Sequence, residues 1–566
     1  MIDNTLNQPL PNDLQPLKVG PLPIISHFCR QIGIVDLVNK HIPSPENIDS
    51  GDVVLAMIMD TLTGRSPLYK LTHNFAHDDV PLFFGKDINN DDFNDHNVGK
   101  VLDRIHQYGA SQLFSQISFR AFDYLELSHE FFHFDTTSVN VWGAYNQYQT
   151  QEANKIAIVH GHSKDKRPDL KQFLYSCLCA GGNIPLLGAV CSGNQSDKKT
   201  NNQELTRIAS FMKKHKLDPL ASIYIADSAF VTKENLDKAE QNQLDVISRL
   251  PATYAEEQRV ITLSMQHPDK WIEIGSLQDT VVGKETARYR YQEQCVDLYG
   301  KEYRAIVIHS SSHDKRRQKK LERALLLEEQ KLNKKIKALE KQKFHCCEDA
   351  KNTTEKDISG CNPKYHQTRI EIEEIKSNKR GRPRKGQEPE TGKIEYCVKV
   401  LLIRDEESIQ KLKEQSGCFV LITTVNPNRH DGKTILQAYK QQNGVEMNFR
   451  FLKDPLIVND TFLKKAERIE ALGVILLLSL MIWNLIQHLL RRYINQNEEN
   501  SIEGWDKKQT RRPTTAMVTY HFEHIMIFRW HNKRLRKLGH ALRPTQQKYL
   551  QILGLNELIF TQFELL

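Results

Sequence analysis

The chain has 566 residues, and at ~150 residues per domain this length predicts three or four domains. Its composition, 39% hydrophobic and 26% charged, is that of an ordinary globular protein and excludes a disordered or fibrous chain. The formal net charge of +8 permits binding to nucleic acid but does not require it.

Residues 1–128 are predicted to form a helical N-terminal domain. Apolar residues recur at helical spacing over Ile24–Val38, Gly51–Thr63 and Asn97–Leu127, and Asp95 is a candidate capping residue for the last of these. No recognition helix for DNA can be identified in this region from the sequence.

Residues 129–254 change to short apolar runs, which predict a mixed α/β core. The predicted strands are Phe131–Ser138, Phe173–Ala180, Ile184–Cys191, Ala221–Ala226 and Leu244–Leu250. The predicted helices are Asn202–His215 and Lys233–Asn242. Three strands followed by helix, strand, helix and strand is the order of a ribonuclease-H-like fold.

Two acidic residues lie at the ends of these strands. Asp135 is near the end of the first strand, and Asp227 follows the strand Ala221–Ala226. Carboxylates at neighbouring strand ends can converge on one point, but an aspartate in this setting is more often a cap or a turn residue.

Residues 255–427 are predicted to be a large insertion between the last core strand and a later helix. The insertion begins with strands, including Arg288–Cys295 and Glu302–His309. Lys315–Lys343 then reads as a long charged helix with Leu325, Leu332 and Leu339 at heptad spacing. We expect a helical hairpin arm, with Gln367–Ser377 as the second helix.

Two basic segments have both a functional and a plain interpretation. Lys164, Lys166, Arg167 and Lys171 form a loop near Asp135 that could hold DNA phosphates or simply be a solvated run of charge. Within Lys379–Lys385, Arg380 and Arg382 belong to an Arg-Gly-Arg-Pro motif that suits the minor groove of A·T-rich DNA, although a flexible basic linker has the same composition.

Residues 428–495 are predicted to complete the core, after the strands Ile394–Ile403 and Cys418–Thr424, with helices at Thr434–Leu452 and Ala466–Ile494. The segment Tyr439–Lys453 would present one polar stripe on a helix, which consists of Tyr439, Gln442, Glu446, Arg450 and Lys453. A plain amphipathic surface helix would show the same pattern. Residues 496–566 form a basic C-terminal region that reads as helical, and it could serve end binding or dimer contact or could equally pack against the core.

The spacing Tyr439-x2-Gln442-x3-Glu446-x6-Lys453 resembles a known signature. It is similar to the Tyr-x2-Arg-x3-Glu-x6-Lys motif of bacterial insertion-sequence transposases that have a DDE catalytic triad. Gln442 stands where that family usually has arginine. The segments His160–Gln172, Ala226–Leu236 and Ser248–Pro251 also resemble one branch of these transposases.

The resemblance implies a function and a set of site residues. Asp135, Asp227 and Glu446 would be the catalytic triad and would hold Mg2+ or Mn2+, two ions in all, since carboxylate oxygens suit hard cations. Tyr439, Gln442, Arg450 and Lys453 would contact DNA. The partners implied are double-stranded DNA, namely insertion-sequence ends and target DNA, and a second copy of the chain, with residues 1–128 as a candidate end-binding domain.

Two other functions stay open at this point. The chain could be a catalytically inactive DNA-binding protein derived from a transposase, or a stand-alone nuclease of ribonuclease-H-like fold. Retention of all three acids argues against the first, and only strand transfer would separate the second.

The same sequence carries expectations about compartment and other metals. Ten unevenly spaced cysteines and a polar N-terminus predict reduced, intracellular thiols. The resemblance to bacterial transposases implies a cytoplasmic protein associated with the nucleoid. The cluster of His345, Cys346, Cys347, Cys361 and His366 lacks a Cys-x2-Cys pair and is a weak zinc candidate. Polar residues interrupt the apolar run Ala471–Leu490, which therefore predicts a buried core helix and no membrane span.

Overall fold

A computed structural model describes residues 14–64, 66–67, 70–75, 78–143, 145, 156–181, 183–277, 286–378, 391–454, 463, 465–497, 499–530 and 535–563. The chain divides into two compact units. The first contains the described residues of Met1–Ser248 and Ala438–Leu566, and the second contains those of Arg249–Gln437.

The N-terminal part of the first unit is helical, as predicted. After strand β1 (Leu14–Lys18), its helices are α1 (Leu22–Gln31), α2 (Ile34–His41), α3 (Ser50–Thr63), α4 (Leu71–Asn74), α5 (Val80–Phe84), α6 (Asp95–Tyr108) and α7 (Ala110–Tyr124). Two predicted long helices are each divided at a glycine with positive φ, Gly33 at 71° and Gly109 at 105°. The side chain of Asn94, and not that of Asp95, caps α6 by accepting a hydrogen bond from the backbone N–H of Asn97.

The α/β part of the first unit follows, close to the predicted boundaries. Its elements are β2 (Phe131–Val141), β3 (Lys171–Ala180), β4 (Ile184–Ser192), α8 (Asp197–His215), β5 (Ile223–Ala226), α9 (Lys233–Gln241) and β6 (Asp245–Arg249). These strands lie side by side in the order β4-β3-β2-β5-β6. β3 is antiparallel to β2 and β4, whereas β2, β5 and β6 run parallel to one another.

The second unit mixes strands and helices. Its elements are α10 (Ala255–Gln266), β7 (Ile272–Ser276), β8 (Arg288–Leu298), β9 (Lys301–Ser310), α11 (Ser311–Leu339), α12 (Cys347–Ser359), β10 (His366–Asn378), β11 (Thr391–Arg404), α13 (Glu406–Ser416) and β12 (Cys418–Thr423). Four of these strands lie in the order β12-β9-β8-β7, with antiparallel pairing throughout.

The prediction of a helical hairpin arm was half wrong. The long helix α11 is present, and Leu325, Leu332 and Leu339 are all buried. The segment Gln367–Ser377, however, is strand β10, which pairs along its length with β11. Alternating Ile370 and Ile372 pack with Leu332 and Leu339 in one apolar cluster, so a period of two residues decided the structure of this segment.

The chain returns to the first unit through helix α14 (Gly432–Gln441), followed by α15 (Asn443–Leu452) and α16 (Ala466–Asn495). The signature segment, predicted as one helix, is divided after Gln441. Gly444 lies so close to the turn between β3 and β4 that a Cβ atom there would be 1.9 Å from Asn183 Oδ1. This close approach explains why the position is a glycine.

Helix α16 forms the centre of the first unit. It packs against α3, α6 and α7 on the helical side and against β4 on the sheet side. It is long and apolar enough to cross a membrane, but 89% of its apolar window is buried inside the protein. Burial in the core therefore accounts for the apolar composition of this helix, as predicted.

The two ends of the chain meet in one small sheet. The C-terminal region contains β13 (Ile502–Glu503), β14 (Gln509–Thr510), α17 (Thr515–Phe522), β15 (Met526–Trp530), β16 (Leu535–Leu538) and α18 (Pro544–Ile552), so it is not simply helical. β1 pairs with β15, and β15 pairs with β16, all antiparallel.

Candidate active site

The first two predicted acids lie at the same level on neighbouring parallel strands. His133 of β2 is paired with Ile225 of β5. Asp135 and Asp227 each follow their paired residue by two positions, so they lie level with each other and on the same face of the sheet. Neighbouring strands are ~4.8 Å apart, which brings the two carboxylates close together.

The charges of the two acids act on each other. Burial raises the pKa of Asp227 to about 6, and the negative charges of Asp135 and Asp197 add to this effect. Burial also raises the pKa of Asp135, while Lys164 opposes that shift. The buried negative charge at this pair of carboxylates therefore favours binding of a cation.

The third predicted acid comes from helix α15, which packs against β2. Glu446 is exposed, and it lines a cavity of about 480 Å³ together with Asp135, Thr136 and Lys164. Phe449 forms an apolar wall of the same cavity. The structure thus brings Glu446 to Asp135 across a shared cavity, and it brings Asp227 to Asp135 through the sheet.

A fourth acid and a lysine complete this group, which we call the acid cluster (Asp135, Asp227, Glu446, Asp197 and Lys164). Asp197, in the first turn of α8, accepts a hydrogen bond of 2.5 Å from Thr136 Oγ1. Lys164 Nζ lies 3.3 Å from Asp135 Oδ1 and donates to the Thr136 carbonyl at 2.5 Å. Asp197 was not predicted from the sequence, because an aspartate in the first helical turn is an ordinary feature of helices.

The electrostatics of Lys164 follow from these neighbours. Burial acts to lower its pKa, but the negative charges of Asp135, Asp197 and Asp227 together hold the pKa above its usual value. The three neighbouring aspartates therefore stabilise the protonated, positively charged form of Lys164.

The remaining residues of the polar stripe differ in their exposure. Gln442 is buried, and its Nε2 donates to the carbonyl of Phe134 in β2 at 3.3 Å, next to Asp135. Tyr439 is half-buried, Arg450 is exposed, and both Arg450 and Lys453 line the cavity with Glu446. The buried amide of Gln442 holds the helix pair on β2.

A network of asparagines anchors the helix that carries Glu446. Asn448 and Asn484 both donate to the carbonyl of Asn183, at 2.8 and 3.0 Å, and Asn484 also donates to Asn448. Both side-chain amides are buried. Because buried amides that find partners fix an orientation, this network orients α15 between the β3–β4 turn and the core helix α16.

Besides the contact of Lys164 with Asp135, the described residues of the predicted basic loop form two further ion pairs. Lys453 Nζ contacts both carboxylate oxygens of Asp165 at 2.8 Å, and Arg167 forms a two-bond pair with Asp169. Lys166 is exposed, whereas Lys171 is half-buried at the start of β3. Arg380 and Arg382 lie outside the described residues.

Comparison with known families gives the chain its class. Residues 132–482 match the model described as "Transposase DDE domain", a range that covers more than half of the chain and contains the acid cluster. The chain belongs to the DDE transposase family. Residues 14–119 of this transposase match a domain of unknown function, DUF4277. No curated protein sequence matches the transposase.

Membership of this family makes the chain an enzyme of DNA transposition and recombination, with DNA as its substrate. Such transposases generally use divalent metal ions. No group of three or more His, Cys, Asp or Glu side chains is arranged to hold a metal ion anywhere in the described residues, either in the acid cluster or at His345–His366. The donor set nevertheless fits a hard cation, since it consists of carboxylates and includes two whose pKa values are raised by burial and by neighbouring negative charge.

Proposed function

We propose that this transposase cuts DNA at the ends of an insertion sequence and joins the freed 3′-hydroxyl groups to target DNA, in a metal-dependent reaction. One observation carries the proposal: Asp135 and Asp227 lie level on adjacent parallel strands, and Glu446 shares a cavity with Asp135. The signature residues Tyr439, Glu446 and Lys453 support membership of the bacterial group with the Tyr-x2-Arg-x3-Glu-x6-Lys motif.

In this proposal Asp135, Asp227 and Glu446 hold two Mg2+ or Mn2+ ions. Bound ions of this kind activate the attacking oxygen and stabilise the leaving oxygen in an in-line displacement at phosphorus. Water attacks first and frees the 3′-hydroxyl at the end of the element, and that hydroxyl then attacks a phosphodiester of target DNA. Neither step requires a covalent bond between protein and DNA, so no serine or tyrosine nucleophile is needed.

Lys453 and Tyr439 are proposed to hold phosphates near the cut end, with Arg450 beside them. An ammonium and a phenol both donate to phosphate oxygens. The pairing of Lys453 with Asp165 supports this role, because it shows that the ammonium reaches an anionic partner at the rim of the cavity. Gln442 can donate to DNA only if its amide leaves Phe134, so its proposed DNA contact is the weakest of the set.

The basic loop would bind DNA next to the acid cluster. Lys166 is exposed and available to a phosphate, whereas Lys164, Arg167 and Lys171 have neighbours within the protein. Arg380 and Arg382 are proposed to enter the minor groove of A·T-rich DNA.

The architecture proposed for this function is a ribonuclease-H-like core interrupted by an insertion. The strand order β4-β3-β2-β5-β6 in the first unit supports such a core, and the compactness of Arg249–Gln437 supports an insertion. Residues 1–128 would bind transposon ends, two chains would pair on DNA, and the protein would act in the bacterial cytoplasm at the nucleoid.

The proposal is tested by removing each carboxylate without changing its shape. We expect Asp135→Asn, Asp227→Asn and Glu446→Gln each to abolish Mg2+-dependent cleavage of a duplex that carries the inverted repeats flanking the reading frame. Binding of the same duplex in EDTA should stay within about twofold of the parent, because the phosphate contacts that dominate affinity are intact. Asp123→Asn, at an exposed acid of α7, is the matched control and should cleave normally.

Two outcomes would contradict this proposal. Metal-dependent cleavage that persists in any of the three variants would remove that residue from the active site. Cleavage by the parent without joined 3′-ends would instead indicate a nuclease that does not transfer strands.

A further inference from the structure

A second cavity lies beside the acid cluster, between strand β2 and helices α14–α16. It has a volume of about 480 Å³, which is within the range of small-molecule sites. Polar side chains dominate one wall of this cavity, namely His133, Asn183, Lys440, Gln441, Asn443 and Arg491. We call it the basic cavity, because among the described residues that line it two are cations and none is Asp or Glu.

In the basic cavity, the positive charge of Arg491 is not balanced by a carboxylate among the described residues. This residue donates from Nε to the carbonyl of Pro513 at 3.2 Å, and no carboxylate in the described part of the chain forms an ion pair with it. Burial, and then the positive charge of Arg512, lower the pKa of Arg491. An anion in this cavity would relieve both the desolvation and the repulsion.

His133 supplies an independent indication of a ligand. The residue is only 4% exposed, and its Nδ1 is buried without a hydrogen-bond partner in the described residues. Buried polar atoms are nearly always paired, so an orphan of this kind calls for an explanation. An oxygen of a bound molecule in the basic cavity would accept a hydrogen bond from an Nδ1–H.

The position of the cavity indicates what the anion is. His133 and Asp135 lie on the same face of β2, two residues apart, which corresponds to ~6.6 Å along the strand. Lys440 precedes Glu446 by less than two turns on the helix pair, and the buried Gln442 lies between the two cavities. A DNA strand whose scissile phosphate reached Asp135 would therefore carry a neighbouring phosphate to the basic cavity.

We propose that the basic cavity binds a phosphate and the attached sugar of the DNA strand, adjacent to the phosphodiester at the acid cluster. Lys440 and Arg491 neutralise the phosphate, and His133 and Asn443 donate hydrogen bonds to it. This inference rests on the proposed function, because it takes the acid cluster as the place where the strand is cut.

The test measures DNA binding in EDTA, so that it does not depend on cleavage. The probe is a 30-base-pair fluorescent duplex, titrated at several salt concentrations. Lys440→Gln should weaken binding about three- to tenfold near 0.1 M salt and reduce the slope of log K against log salt by ~0.9, the value for one lost phosphate contact. Lys440→Arg, which keeps the charge, should retain both affinity and slope.

Lys213→Gln, at an exposed position of α8, is the matched loss of charge and should leave the slope unchanged. Arg491→Gln should behave as Lys440→Gln does. If Arg491→Gln fails to fold, as judged by circular dichroism, Arg491→Lys and the Lys440 variants still test whether the basic cavity binds a DNA phosphate. An unchanged affinity and slope for Lys440→Gln would overturn the proposal.

A further arm separates DNA from free phosphate as the source of the anion. Inorganic phosphate is added to the protein without DNA, and the midpoint of thermal unfolding is recorded. If phosphate stabilises the parent but not Lys440→Gln, while both bind the duplex equally, the cavity takes free phosphate and the proposal fails. Since the carboxylate variants are scored by cleavage and these variants by binding, failure of one proposal is distinguishable from failure of the other.

Discussion

At the scale of single residues, Lys164 shows how a structure changes the meaning of a charge. In the sequence it belongs to a basic loop, for which contact with DNA phosphates and a solvated run of charge are both open. In the structure its ammonium contacts Asp135 and the carbonyl of Thr136, and it feels the charges of Asp197 and Asp227. In the proposed active site, Lys164 would therefore compete with a metal ion for the carboxylate oxygens of Asp135.

We expect Lys164→Met to bind Mn2+ more tightly than the parent. Loss of a competing cation should improve the affinity about tenfold, which corresponds to ~1.4 kcal/mol. The metal-free variant should also unfold at a lower temperature, because its carboxylates then repel one another without a counter-ion. Electron paramagnetic resonance of free Mn2+ and differential scanning calorimetry measure the two effects.

Lys166→Met is the control, since it removes a charge from an exposed position of the same loop. Equal Mn2+ affinity in Lys164→Met and in the parent would show that the lysine does not occupy the metal-binding region.

A second residue predicts a dependence of stability on pH. Burial raises the pKa of Asp78 to about 7, and the nearby charge of Lys18 only partly opposes this shift. Between pH 4 and 7 the unfolded chain loses this proton while the folded chain keeps it, so the free energy of unfolding falls as the pH rises. Asp78→Asn should therefore be up to about 4 kcal/mol more stable than the parent at pH 8 and nearly equal to it at pH 4.

Urea unfolding at the two pH values measures this difference. Asp91→Asn, at an exposed acid of the same region, should show no such difference between the pH values. A gain for Asp78→Asn that is the same at pH 4 and pH 8 would contradict the assignment.

At the scale of elements, local pattern and tertiary contact decided different things. The strands β2 to β6 were predicted within a few residues, because short apolar runs between turns define a buried strand. The division of the signature helix after Gln441 was not predicted. The close approach of Gly444 to Asn183 was not predictable either, because the two residues are distant in sequence. The pairing of β10 with β11 was missed because Gln367–Ser377 was predicted to be a helix, although its alternating isoleucines follow the two-residue period of a strand.

The heptad leucines of α11 give a prediction at this scale. Leu332 is 1% exposed and packs against α12 and the hairpin β10–β11. Leu332→Ala should destabilise this cluster by about 2–5 kcal/mol, because it removes apolar contacts and leaves a cavity. Hydrogen exchange of α11 amides under native conditions reports the loss.

Leu327→Ala is the matched control, as Leu327 is on the same helix but 67% exposed. It should change amide protection by less than about 0.5 kcal/mol. Equal effects of the two substitutions would mean that the cluster does not stabilise the helix.

At the scale of the whole molecule, the ends of the chain depend on each other. Asp79, next to α5, is fully buried and pairs with Arg529 of β15 and Arg536 of β16. The sequence left open whether the basic C-terminal region packs against the rest of the protein, and the structure joins this region to the N-terminal helices through β1 and through Asp79.

We expect Asp79→Asn to destabilise the protein by about 3–5 kcal/mol, since it leaves two partly buried guanidinium groups without their carboxylate. Thermal unfolding measures the change, and limited proteolysis should show earlier cleavage in the C-terminal region. Asp36→Asn, at an exposed acid of α2, should have no comparable effect. Parent-like stability of Asp79→Asn would show that the ion pairs contribute nothing net.

The sequence by itself determined the class of the protein and most of its secondary structure. Apolar periodicity, glycines and the spacing of Glu446 from Tyr439 and Lys453 are local properties, and local properties can be read along a chain. Tertiary structure alone decided that Asp135 and Asp227 lie level, that Asp197 and Lys164 join them, and that His133 and Arg491 face one cavity. These facts depend on strand register and on contacts between residues far apart in the chain, and no local pattern encodes such contacts.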